Sequence, residues 1–73
     1  MKRIELRKHT ITNRGDIITD VAVLEPTEKG TTNATTGSLI EWGEEWNDHE
    51  IKLDIYDVAN CFIAEGYKLY FVE

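Results

Sequence analysis

The chain has one cysteine, one proline and one methionine in 73 residues, and only eight lysines and arginines against fourteen carboxylates. A lone Cys61 excludes an internal disulfide and any thiolate metal cluster built from one chain, and it suits a reducing compartment. No run approaches the roughly 20 apolar residues that a membrane helix requires. The opening residues, Met1 to Lys8, are charged throughout and lack the apolar core of a signal peptide, so the expectation is a cytoplasmic chain with no membrane contact. A phosphate-cradling loop is missing as well. Gly30 and Gly37 fall in a threonine-rich stretch without the strand–GxxxxGK–helix setting. Asn33-Ala34-Thr35 matches the glycosylation pattern, but with no secretory signal it reads as a chance match.

Scarcity of basic residues leaves a formal charge of −6. Nucleic-acid binding normally needs a net basic surface to release counterions, so direct binding to DNA or RNA is disfavoured. The charge is unevenly placed. Residues 1–16 carry five basic groups and two acids, whereas 17–73 carry three basic groups and twelve acids. In sequence the chain is an electrical dipole, and strand order decides whether it is one in space.

What is present is enough for one small core. A hydrophobic share of 41% and an aromatic share of 10% are too high for a disordered chain, and 73 residues make one small acidic domain. Ile4 and Leu6 alternate with Arg3, Glu5 and Arg7, the period of a half-buried strand. Asn13-Arg14-Gly15-Asp16 has turn chemistry, and Ile17 to Leu24 forms the second strand of a hairpin. In that strand Thr19, Val21 and Val23 share one face, while Ile18, Ala22 and Leu24 share the other. Residues 25–38, with their proline, glycines and threonines, read as a flexible surface loop. Ser38 to Trp42 then reads as a short strand, and Gly43-Glu44-Glu45 as its turn.

Residues 48–65 admit two readings. Ile51, Leu53 and Ile55 alternate, while Ile51, Ile55, Val58, Ala59, Phe62 and Ile63 also sit at helical spacing. The preferred reading is a strand over 50–54 and a helix over 55–65. Asp54 is then the N-cap, Asp57 lies in the first turn, and Gly66 ends the helix. Val58, Ala59, Phe62 and Ile63 are expected to face the sheet. Residues 67–72 make the last strand, with Tyr67, Leu69 and Phe71 on one face and Lys68, Tyr70 and Val72 on the other. The expected fold is α+β: a small antiparallel sheet of four to five strands with one helix from the C-terminal half packed on a face, in the order β-β-β-β-α-β. The alternative is β-β-β-α-β with one long helix over 48–65.

Catalytic chemistry finds little support. Cys61 lies among apolar residues of the expected helix, where cysteine acts as a small hydrophobe. Asp48-His49-Glu50 suggests metal ligation, but neighbouring residues diverge in either regular structure. Paired carboxylates for glycoside chemistry need cleft walls that so short a chain hardly supplies. No enzyme activity, cofactor or metal is therefore expected. The basic run Lys2-Arg3…Arg7-Lys8 has no interleaved aromatics for base stacking and reads as an edge strand protected by charge.

One segment stands out. Glu41, Trp42, Glu44, Glu45, Trp46, Asp48 and Glu50 put two tryptophans among five carboxylates, a composition suited to a basic partner. The expectation is a non-enzymatic interaction module, an inhibitor or adaptor, that docks this acidic and aromatic surface on a basic surface of a larger protein. Mimicry of DNA is one specific form of it. The alternatives are an accessory subunit or homodimer joined through the sheet edge, and a weak nucleic-acid binder using the N-terminal basic strand.

Overall fold

The computed structural model describes residues 2–40 and 43–73, with the side chains of all these except 40 and 43–45. Five strands and one helix follow the expected order: β1 Ile4–Ile11, β2 Ile17–Pro26, β3 Thr32–Ile40, β4 Gly43–Ile51, α1 Ile55–Ala64 and β5 Lys68–Val72. The sheet is antiparallel throughout and runs β4-β3-β2-β1-β5. The first four strands form a meander. The helix then carries the chain back across one face, and β5 joins the far side of β1.

The core lies between α1 and that face. Ile4, Leu6, Ala22, Leu24 and Ala34 from the strands meet Ile55, Val58 and Ala59 from the helix, with Ile51, Phe62 and Tyr67 at the margin. The register explains the set: Ile4 opposes Leu24, Leu6 opposes Ala22, and Leu24 opposes Ala34, so all share a face. Thr32 is fully buried at its edge and donates its hydroxyl to the Leu53 carbonyl at 2.9 Å, tying β3 to the segment that leads into the helix. Asp54 caps α1 by accepting the amides of Tyr56 and Asp57, each at 2.9 Å. At ten residues the helix is about 15 Å long, whereas β2 reaches about 33 Å. Half of one face and all of the other are therefore left without a helix.

Several boundaries differ from the sequence reading. Residues 25–38 are mostly strand, and the loop shrinks to Thr27–Thr31. Threonine is β-branched and fits a pleated surface, and Thr32, Ala34 and Thr36 alternate with the outer residues. A signal for the true turn was present. Thr12-Asn13-Arg14-Gly15-Asp16 and Thr27-Glu28-Lys29-Gly30-Thr31 share a Thr-x-base-Gly pattern and the same geometry. In both, the threonine amide reaches the carbonyl four residues on (2.8 and 2.9 Å), and the glycine adopts positive φ (85° and 81°). Gly43-Glu44-Glu45 opens β4 instead of forming a turn, and β4 ends at Ile51, so the strand assigned to 50–54 lies earlier. The long helix over 48–65 does not form.

Three facing assignments also change. Ile63 is 43% exposed and Cys61 is exposed, because Ile55, Val58, Ala59 and Phe62 already fill the inward stripe of this short helix. In β5 the register shifts between Glu5 and Leu6: Leu69 opposes Leu6 while Phe71 opposes Glu5, so the bulge puts Leu69 and Phe71 on opposite faces. β1 is not an edge over 4–7, since β5 covers it there.

Candidate interaction surface

β4 is one edge of the sheet. Its nine residues hold Glu44, Glu45, Asp48 and Glu50 with no lysine or arginine, and residues 46–50 are all exposed. Strand alternation places Trp46, Asp48 and Glu50 on the face away from the helix, opposite Gly37, Thr35 and Asn33. His49 opposes Ala34 on the other face, so Asp48-His49-Glu50 does not converge. Among the described residues no group of three or more metal-ligating side chains comes together.

Two carboxylates are held by threonines. The Thr35 hydroxyl donates to Asp48, and the Thr31 hydroxyl donates to Glu50 at 2.7 Å. These bonds set the acids in a file along the edge rather than leaving them to sweep solvent. Trp46 is 40% exposed and stands opposite Gly37, where β3 offers no side chain in its way. Of the sequence-derived site residues, β4 thus gathers Trp46, Asp48 and Glu50 on one face. Glu44 and Glu45 belong to the same strand, and Glu41 and Trp42 lie outside the described residues.

Five of the eight basic residues lie on the other side of the sheet, whereas Arg14 and Lys29 sit in turns and Lys52 follows β4. Lys2, Arg3, Arg7 and Lys8 belong to β1 or its approach, and Lys68 opens β5. Glu5 is embedded among them, its carboxylate 2.9 Å from Arg7 and 4.0 Å from Arg3. Across the face without a helix, Arg7 opposes Val21, and Val21 opposes Gly37. Val21 is 3% exposed despite having no helix above it, so long side chains on this face shelter part of it. The strand order makes the sequence dipole a spatial one. β4 and β1 are three strands apart, about 14 Å at the usual spacing, beyond the roughly 8 Å screening length of physiological salt.

Sequence reasoning missed the aromatic partners of β1. The Arg7 guanidinium lies 3.8 Å from the centroid of the Tyr70 ring, Lys2 lies over Tyr56, and Lys8 sits near Tyr67. No local signal announces these pairs, because the helix and β5 lie some fifty residues or more downstream of β1. Among the described residues Tyr67 is the one group with a displaced pKa. Burial pushes its phenol above the ordinary value, and the Asp20 and Glu65 carboxylates add to the effect. Comparison with protein families, curated proteins and solved structures finds no match.

Proposed function

We propose that the chain is a non-enzymatic protein-interaction module, an inhibitor or adaptor, which docks its acidic β4 edge on a basic surface of a larger protein. The observation that carries this reading is the strand order. It makes the one strand with four carboxylates and no lysine or arginine an edge strand, three strands away from the basic residues of β1. Four carboxylates on one edge strand, with Lys29 and Lys52 only at its C-terminal end, attract a basic partner and speed the encounter. Trp46, beside Asp48 and Glu50 on the same face, supplies the aromatic anchor that interfaces favour.

Mimicry of DNA is the specific form of this reading, with Asp48 and Glu50 on one face of the same strand.

The test is affinity capture from native lysate, at low and high salt, with three baits: the wild type, the E44Q/E45Q/D48N variant and the K68Q variant. A basic protein held at low salt by the wild type and K68Q, but lost at high salt and by the triple variant, supports the reading. Equal retention by the triple variant overturns it. With the partner in hand, the triple variant is expected to associate more slowly and with a flatter salt dependence.

A further inference from the structure

The sheet has a step at the start of β5. That strand pairs with β1 only along Ile4–Arg7, while β1 continues to Ile11. The step opens a cleft of about 290 Å³, lined by Arg7 and His9 from β1 and by Gly66, Lys68, Leu69 and Tyr70. None of these six is a carboxylate, in a chain that has fourteen. Arg7 covers one face of the Tyr70 ring, and its Nε is fixed to Glu5 Oε2 at 2.9 Å. Tyr70 is 61% exposed, so its ring remains accessible to a ligand. His9 is anchored through Nδ1 to the Thr19 hydroxyl at 2.9 Å, which leaves Nε2 for a further bond.

An aromatic face backed by a guanidinium, with cations on two neighbouring strands, has the chemistry for stacking a base and holding its phosphate. The cleft volume is at the low end for ligand sites, which suits one nucleotide rather than a dinucleotide cofactor. We infer that the β1–β5 step binds a nucleoside monophosphate unit. Its base stacks on the Tyr70 ring, and its phosphate is held by Lys68 and Arg7 with His9 at the rim. The unit comes either as a free nucleotide or as one residue of a single-stranded nucleic acid, since the bases of a duplex are not available for stacking. The acidic β4 lies on the far edge, beyond screening distance, and of the nearer carboxylates Glu5 is already paired with Arg7. The site is separate from the proposed docking edge, and neither depends on the other.

The experiment is an amide NMR titration of the full chain with four probes: adenosine 5′-monophosphate, a thymidine oligonucleotide about six residues long, inorganic phosphate and hexaglutamate. Saturable shifts at Arg7, His9, Gly66, Lys68 and Tyr70 are expected with the nucleotide or the oligonucleotide. Tighter binding of the oligonucleotide assigns the source as single-stranded nucleic acid, and the reverse order assigns it as free nucleotide. Tyr70→Phe should retain binding, Tyr70→Leu should weaken it about tenfold, and Lys68→Gln should weaken it and lower its salt dependence. Because both side chains are exposed, the variant spectra should otherwise match the wild type. The proposal is overturned by absence of saturation with both nucleotide probes. It is equally overturned if phosphate or hexaglutamate binds as tightly as the nucleotide, or if Tyr70→Leu leaves affinity unchanged.

Discussion

The Tyr67 ring meets the Phe62 ring edge-on, with centroids 5.1 Å apart and planes at 84°. The contact closes the helix terminus. The Tyr67 amide reaches back to the Phe62 carbonyl at 3.1 Å, and the Gly66 amide to the Ile63 carbonyl at 3.0 Å. This is the paired hydrogen-bond pattern of a glycine-ended helix, with its apolar clasp between the residues on either side. It turns the chain from α1 toward β1, so β5 adds to that edge and completes the β1–β5 step.

A double-mutant cycle with Phe62→Leu and Tyr67→Leu is expected to give a coupling of about 0.5–1.5 kcal/mol, the range of edge-to-face aromatic pairs. Urea denaturation of the four proteins measures it. Additive effects would show that the rings merely fill space.

Gly66→Ala is expected to destabilise by about 1–2 kcal/mol. Gly66 has φ +105°, a conformation that L residues rarely adopt, whereas a Cβ there would meet only the Lys8 side chain, at 3.5 Å. The cost is therefore one of backbone conformation rather than crowding. An Asn at the same position should recover part of the loss.

Stability is expected to fall in alkaline solution through Tyr67. Its folded pKa is raised by burial first, and then by Asp20 and Glu65. Below about pH 10, the ordinary tyrosine value, both states hold the proton and the group contributes no pH dependence. Above it, the unfolded chain loses the proton more readily than the folded one, so stability declines until the folded pKa is passed. Tyr67→Phe should flatten this decline, as followed by denaturant unfolding at several alkaline pH values. An unchanged slope would place the titration elsewhere.

Cys61 is exposed, on the rim of a shallow groove with Ile51, Leu53 and Phe62. A thiol reagent should therefore modify it in the native protein without prior unfolding. Cys61→Ala should leave both stability and partner capture close to wild type, since no chemistry is assigned to the sulfur. Loss of capture with an intact circular dichroism spectrum would give the thiol a role.

Features set by adjacent residues were legible in the sequence. Asp54 caps the helix because its carboxylate reaches amides two and three residues away, and Gly66 ends it because glycine adopts the required positive φ without a Cβ penalty. The Ile4/Leu6 alternation marked a half-buried strand for the same reason, strand periodicity being a property of the chain itself, whereas the two apolar faces of β2 left open which one, Val21/Val23 or Ala22/Leu24, meets the helix. The threonines of 32–38 misled, since their preference for strands is only realised once neighbours on both sides pair with them.

Tertiary structure decided the rest. Alternation is compatible with any lateral order of strands, so only long-range pairing put acidic β4 three strands away from the basic residues of β1. The bulge in β5 depends on its match to β1, and Cys61 faces solvent because a ten-residue helix buries one narrow stripe. Arg7 and Tyr70 are 63 positions apart, and nothing near either one announces the other. Their contact exists because β5 adds to β1 rather than to β4: hydrogen bonds between strands act over a few ångströms of space, whatever the distance along the chain.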